Sequence, residues 1–300
     1  MKISLIIPVH NEEGNVPIVY KEAKAVLEDL KAKGYQYEII FINDGSTDKT
    51  LEILKELKQK DPLLRILNMD RNRGEAAGLT AGFQKATGNI IVSMDGDGQN
   101  DPKYIKDLIA KLEKGYKVAT GFRLKRKENF WLRVLPSRIA NWLISLFTGL
   151  KVRDNGCSLK AYLSPIPKKY QIPHGFHRFL PALFGVKNHE VCEVPIVDRP
   201  RMYGKSHYNL KRTFEVIREL FTIPFVLRNS YFYEKFFKLN FWGSILLTGL
   251  FLVLALSFSP KFWILEGLSI GYGGISYLIW KNLARFNRAQ KEGVFQVEEI

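Results

Sequence analysis

The sequence predicts an α/β domain, a mostly parallel sheet with helices on both faces, followed by interfacial helices and a two-helix transmembrane hairpin. Three observations predict it. Short apolar runs of β-type residues alternate with helical runs over the first 120 residues. Acidic and amide-rich turns follow those runs. Two long apolar stretches, carrying one charge between them, lie between Leu239 and Trp280. A βαβα order implies parallel strands, because each helix returns the chain to the same end of the sheet.

The elements follow in order. Strand-like Ile3–Val9 precedes helical Val16–Lys33, and Tyr37–Ile42 precedes Thr47–Lys60. Leu64–Met69 precedes Glu75–Thr87, and Asn89–Met94 precedes Pro102–Lys114 and the strand Lys117–Thr120. Ser46 or Thr47 can cap the second helix, Asp61-Pro62 closes it, and Asp101-Pro102 offers an N-cap with proline at the first helical position. In such sheets ligands bind beyond the carboxyl ends of the strands, which is where the polar turns fall.

Composition narrows the partners. The chain has 300 residues, a formal net charge of +15 and a pI near 9.6, which favours an anionic partner: nucleic acid, a membrane surface or a phosphorylated substrate. Two cysteines, Cys157 and Cys192, make neither a disulfide framework nor a metal spacing. The run Ile3–Pro8 is too short for a signal peptide and reads as a first strand, keeping the N-terminal part on the synthesis side of any membrane.

The chemistry concentrates in Met94-Asp95-Gly96-Asp97-Gly98-Gln99. Alternation along an extended backbone puts the Asp95 and Asp97 carboxylates on one side. Two carboxylates and an amide oxygen are hard ligands suited to Mg²⁺ or Mn²⁺ that also holds a diphosphate. Three further clusters follow strands: Pro8-Val9-His10-Asn11-Glu12, Asn43-Asp44-Gly45-Ser46-Thr47-Asp48 and Asn72-Arg73-Gly74. Singly each is turn chemistry. Together, on one sheet edge, they supply carboxylates able to bond ribose hydroxyls or a base N–H. There is no G-x-G-x-x-G and no P-loop, so no helix N-terminus is built to hold a dinucleotide or ATP.

In this order the four clusters resemble the family 2 glycosyltransferases of GT-A fold, a Rossmann-like architecture. The likeness spans roughly residues 3 to 210 and is greatest to dolichol-phosphate mannose synthase and bacterial polyprenyl-phosphate glycosyltransferases. It implies a nucleotide-sugar-binding set of Pro8, Asn11, Glu12, Asp44, Asn72 and Asp95, with Asp97 and Gln99 on the metal. Arg123, Arg138 and Asn141 would face an acceptor phosphate. Arg153-Asp154-Asn155-Gly156-Cys157-Ser158-Leu159-Lys160 resembles the segment that carries an acceptor-orienting carboxylate, Asp154. A phosphate monoester has a second pKa of about 6, so Asp154 is assigned an orienting or electrostatic role first and a base role second. Arg201-Met202-Tyr203-Gly204-Lys205-Ser206 resembles a diphosphate clamp with Arg201, Lys205 and Ser206 as its polar groups. His207 stands where that family commonly has lysine.

Two segments read independently of that likeness. The basic run Arg123–Lys127 leads into amphipathic Phe130–Phe147, whose cations and tryptophans suit the headgroup zone of a membrane. His174 and His177 lie three apart with no further ligand at zinc spacing, so they are read as packing or surface histidines, and Arg178 as a candidate near the substrate.

The C-terminal third reads as an anchor. Leu239–Ser259 has no charge, and its twenty-one residues span about 31 Å at 1.5 Å each, near the thickness of a bilayer's hydrocarbon. Phe262–Trp280 is a second run, with a girdle at Trp242, Trp263, Tyr277 and Trp280. Arg228, Lys235 and Lys238 precede the pair and Lys281, Arg285, Arg288 and Lys291 follow it, which places both ends in the cytoplasm. The expected layout is a GT-A catalytic domain over 1–207, interfacial helices over 208–238, the hairpin over 239–281 and a loosely ordered tail over 282–300.

The expected protein is a multi-pass inner-membrane, metal-dependent inverting glycosyltransferase. It would move one sugar from GDP-mannose or a UDP-hexose to undecaprenyl or dolichyl phosphate. Nucleic acid is not an expected partner, and a homo-oligomer is left open. The alternatives are a processive polysaccharide synthase, against which no Gln-x-x-Arg-Trp occurs, and a non-enzymatic nucleotide-sugar or lipid-linked-sugar binding partner.

Overall fold

In the computed structural model, residues 1–124, 135–201, 203 and 210–300 are described, with side chains except at 135–140 and 210–214. The chain forms two compact units, Met1–Tyr208 with Gly293–Ile300, and Asn209–Glu292.

The first unit is built on one eight-stranded sheet. Its strands are β1 (Lys2–Val9), β2 (Gln36–Asn43), β3 (Leu64–Met69), β4 (Ile90–Ser93), β5 (Val118–Arg123), β6 (Lys160–Leu163), β7 (Val191–Ile196) and β8 (Val297–Glu299). They lie in the order β7-β5-β6-β4-β1-β2-β3-β8. The helices are α1 (Val16–Ala32), α2 (Thr50–Lys60), α3 (Glu75–Lys85), α4 (Ile105–Glu113), α5 (Leu135–Thr148) and α6 (Leu180–Leu183). β1 and β2 are almost wholly buried, the continuous apolar run expected of strands covered on both faces. Ile3, Leu5, Ile7, Ile39 and Phe41 from those strands meet Val19, Ala23 and Leu27 of α1 in the main core.

The predicted alternation holds through β5, and β1 pairs in parallel with both β2 and β4. β6 departs from it, entering antiparallel between β4 and β5. Running the opposite way, β6 begins where β4 and β5 end. The loop before it, carrying Asp154, is thereby delivered to the carboxyl edge that also carries Asp95 and Asp97. β5 then pairs in parallel with β7, whose carboxyl end leads to Arg199 and Arg201.

The C-terminal residues correct the expected loose tail. A long helix continues to Glu292, and residues 297–299 form β8, antiparallel to β3.

The second unit is a helical hairpin. α7 (Leu210–Ser257) is broken at Asn229, whose backbone is extended and whose side chain caps the following segment by accepting from the Phe232 N–H at 3.0 Å. The break falls within the segment 208–238 expected to form interfacial helices, but residues 230–257 then run on without a second boundary. α8 (Phe262–Glu292) returns alongside. Both helices are long and apolar enough to cross a membrane. Leu246 (76% exposed), Ile264 and Leu268 are exposed, an apolar surface of the kind that marks a membrane or protein contact. Between the helices, Gly273 packs on Ser244, Thr248 Oγ1 donates to Ser269 Oγ at 3.0 Å, and Ser269 Oγ donates to the Ser244 carbonyl at 2.9 Å. Small and hydroxyl residues at the contact are how helices pack where lipid removes the hydrophobic driving force. Fully buried Glu219 pairs with both Arg218 and Arg285 at 3.2 Å, so its charge is balanced within the hairpin.

Candidate active site

At the end of β1 the chain turns through His10 and Asn11, and Asn11 takes a positive φ of 55°. Its Oδ1 accepts from the Thr47 N–H at 2.7 Å, and its own N–H donates to Ser46 Oγ at 3.0 Å, tying the first polar turn to the second. His10 Nδ1 lies 2.8 Å from the Asp44 carbonyl. Glu12 accepts from Asn15 Nδ2 at 2.5 Å, and burial, with Asp97 nearby, raises its pKa. Pro8, half-buried, sits in β1 opposite Ile42.

Asp44, at the end of β2, is buried. Its two oxygens accept from the Arg73 N–H at 2.7 Å and the Gly74 N–H at 2.8 Å, immediately before α3. The third polar turn is thus held by the second, with Asn72 exposed beside it. Gly45, at φ +59°, packs directly on the backbone of Arg71 and Asn72, where any Cβ would collide.

After β4, Asp95 and Asp97 turn through Gly96. A Cβ there would run into Val9 and approach the Pro8 carbonyl to 3.0 Å, so glycine lets the acidic turn lie against the end of β1. The Asp95 N–H donates to Asn100 Oδ1 at 3.2 Å. Burial, then Glu75 and Asp97, push the Asp95 carboxyl well above the usual range, against Ser158 and Lys160. Asp97 is 7% exposed. Its Oδ1 accepts from the Gln99 N–H at 3.0 Å and its Oδ2 from Arg201 Nη2 at 2.6 Å. Burial works against the Arg201 charge, but Asp97 outweighs it and raises that pKa.

Across the same edge, Arg123 at the end of β5 meets Asp154. Nε and Nη2 donate to the two oxygens at 2.7 and 2.9 Å, and Nη1 lies 3.7 Å from Asp198 Oδ2. Burial lowers the Arg123 pKa, yet the pairing with Asp154 more than offsets it. Asn141 on α5 donates to the Arg153 carbonyl at 2.7 Å and accepts from the Asn155 N–H at 3.4 Å, so it holds the Asp154 loop.

The structure therefore brings Pro8, Asn11, Glu12, Asp44, Asn72, Asp95, Asp97, Gln99, Arg123, Asn141, Asp154 and Arg201 to the carboxyl edge of one sheet. The Arg138 side chain, Lys205 and Ser206 lie outside the described residues. His177 Nε2 lies 3.5 Å from Glu75 Oε2, which gives that histidine a carboxylate neighbour.

Sequence reasoning missed Asp198 and Asn100, and gave Lys160, the last residue of the Asp154 segment, no role of its own. Asn100 Nδ2 lies 3.4 Å from Asp198 Oδ1, and burial raises the Asp198 pKa. Lys160 is buried and donates to the Asn155 carbonyl at 3.1 Å and to that of Cys157, while burial lowers its pKa. A lysine in an otherwise apolar strand, six residues after an aspartate, was the signal available.

The donor set suits a divalent ion. Among the described residues no three His, Cys, Asp or Glu side chains form a self-sufficient metal cluster. Asp97 is the buried carboxylate there, and with Oδ1 on the Gln99 N–H and Oδ2 on Arg201 it would exchange one of these partners to ligate Mg²⁺ or Mn²⁺, which are commonly held by one or two carboxylates together with substrate phosphates.

Comparison with known proteins agrees with this geometry. The profile of Glycosyl transferase family 2 matches residues 4–164, more than half of the chain. Dodecaprenyl-phosphate galacturonate synthase of Rhizobium johnstonii is 38% identical over 233 residues, covering 76% of this chain and 68% of that protein. Among solved structures, glucosyl-3-phosphoglycerate synthase from Mycobacterium tuberculosis, in complex with Mn²⁺, uridine diphosphate and phosphoglyceric acid, aligns with a TM-score of 0.56. It is 18% identical, over 74% of this chain and 78% of that one. Mannosyl-3-phosphoglycerate synthase from Rubrobacter xylanophilus aligns at 0.55 and 13% identity, over 73% of each chain. At those identities the structural likeness speaks to fold.

Proposed function

The chain belongs to glycosyltransferase family 2, and from that premise we propose that it transfers a single sugar, with inversion, from a nucleotide sugar to a polyprenyl phosphate at a membrane. One observation carries the reading. Acidic groups fit for a nucleotide and a divalent ion (Asp44, Asp95, Asp97) share a sheet edge with guanidinium groups fit for phosphates (Arg123, Arg201). The 38% identical relative is named for a dodecaprenyl phosphate, and two apolar helices follow the catalytic unit in the same chain.

In this reading Glu12, Asp44 and Asn72 bind the nucleoside, Pro8 and Asn11 shape its wall, and Asp95 meets the ribose or sugar. Asp97 and Gln99 would hold Mg²⁺ or Mn²⁺, which when bound offsets charge on the leaving diphosphate. Arg201, with Lys205 and Ser206, faces that diphosphate. Arg123, Arg138 and Asn141 orient the acceptor, whose phosphate oxygen attacks the anomeric carbon. The carbon–oxygen bond to the nucleoside diphosphate breaks, and its electron pair leaves with that group. Orientation of two bound anions is the chief contribution of such a site. Asp154 has both oxygens engaged by Arg123, so it positions that cation and leaves the already ionised phosphate to act without a base.

The cytoplasmic side of an inner membrane is assigned from the basic residues flanking the hairpin. The test is direct. Purified protein in detergent is given Mn²⁺, undecaprenyl or dolichyl phosphate, and radiolabelled GDP-mannose, UDP-hexoses and UDP-galacturonate. Label extractable with lipid is expected with one donor, and none with any donor would overturn the reading.

A further inference from the structure

The last strand of the sheet lies beyond the membrane hairpin in the chain, yet it reaches a donor-site loop. After α8, Gly293 turns at φ +80° and the Val294 N–H donates to Gln171 Oε1 at 3.3 Å. β8 then pairs with β3, Val297 opposite Met69 and Glu299 opposite Leu67, and the Ile300 N–H donates to the Ile66 carbonyl at 3.0 Å. Glu299 takes Arg65 in a fork, at 2.6 and 3.0 Å. Just ahead of the strand, Gln296 Oε1 accepts from Arg73 Nη2 at 3.0 Å. The same guanidinium donates to both oxygens of Asp70, at 2.7 and 3.0 Å.

Arg73 is where this matters. Its backbone N–H is one of the two that hold the Asp44 carboxylate. On the β2 side the turn 70–74 is held by the Asp44 carboxylate and by Gly45 packed on Arg71 and Asn72. A guanidinium shared between Asp70 and Gln296 fixes the turn between β3 and the returning C-terminal strand. The contacts therefore run from β8 through Gln296 and Arg73 to Asp44.

We propose that residues 293–300 are a strap that positions the donor-binding turn, with Gln296 as the positioning residue acting through Arg73 on Asp44. The proposal rests on the reading of Asp44 as a nucleotide-sugar contact. Because Gln296 touches no reacting atom, its loss weakens donor binding and leaves the chemical step intact. The strap follows α8 without a linker, so the donor site draws on both segments of chain that flank the hairpin.

The experiment uses the full-length protein in detergent with Gln296→Ala and Gln296→Glu. Gln296→Ala is expected to raise donor KM about three- to tenfold, with kcat and polyprenyl-phosphate KM within about twofold. Gln296→Glu retains an oxygen for Arg73 and is expected to match the unmodified protein. In parallel, hydrogen exchange at the Arg73 and Gly74 amides should quicken in Gln296→Ala while amides of β1 do not change. Unchanged donor KM overturns the proposal, whether or not exchange quickens, and so does a Gln296→Glu variant as impaired as Gln296→Ala. If the unmodified protein binds no nucleotide sugar, the donor reading fails on its own. The exchange arm then still decides the strap, since unaltered protection at Arg73 and Gly74 overturns it.

Discussion

Arg123 grips Asp154 through a fork, Nε to one carboxylate oxygen at 2.7 Å and Nη2 to the other at 2.9 Å. The two residues are 31 apart in sequence and meet because β6 is inserted antiparallel beside β5. A carboxylate bound this way is a poor proton acceptor, and an arginine bound this way has its direction set.

Replacing Asp154 by Asn keeps the shape and removes the charge that aims Arg123. Activity should fall about 10²-fold, in line with loss of positioning at a reacting group. The acidic limb of the kcat–pH profile should stay near pH 6, where a phosphate monoester gains its second charge. Disappearance of that limb in Asp154→Asn would show that Asp154 is the titrating base.

In the proposed reading Asp97 supplies the carboxylate for the divalent ion. Treatment with EDTA should abolish transfer, and Mn²⁺ or Mg²⁺ should restore it. Asp97→Ala should lose at least about 10³-fold, the scale on which electrostatic stabilisation of a leaving group operates. Isothermal titration with Mn²⁺ and the nucleoside diphosphate checks the binding separately, and retention of metal-dependent affinity by Asp97→Ala would contradict the assignment.

Glu38 sets an acid limit on stability. It lies buried within β2, opposite Ser4 of β1, and burial raises its pKa. Ser4 at 2.5 Å, the Thr87 N–H at 2.7 Å and Arg65 at 2.8 Å more than reverse that, bringing it from 4.5 to about 2. The unfolded chain binds this proton first, so the contribution is complete above pH 4.5 and is lost as the pH falls toward 2. It amounts to about 3 kcal/mol. Glu38→Gln should lower stability at pH 7 by a similar amount and flatten the decline on acidification, read from denaturant midpoints.

Leu246 tests the membrane hairpin. In a soluble protein an arginine at so exposed a position would be harmless. In a bilayer it costs ~3 kcal/mol at mid-helix, so Leu246→Arg should deplete the protein from the membrane fraction. Undiminished sedimentation with membranes would argue against a spanning α7.

What the chain revealed in advance follows from the range of the interactions. β1 to β5 were legible because each strand is a continuous apolar run closed by its own turn residues. The break at Asn229 fell where two aromatic, basic segments meet. β6 and β8 were not foreseen as sheet partners, since four and three residues carry too little pattern and their pairing is wholly non-local. The acidic turns gave the position of the site but not its wiring. Nothing local says that Asp44 will hold the amides of Arg73 and Gly74, or that Asn141 will brace the Asp154 loop. Lys160 was passed over because a buried cation is recognised only once its carbonyl partners are in place.

The order of synthesis gives β8 a second consequence. β3 leaves the ribosome with one side unpaired, and the segment that will cover it emerges only after both apolar helices. An open strand edge invites wrong partners. Completion of the sheet is therefore deferred until the hairpin has been made. A chain that stalls before its last residues are made retains an open β3 edge.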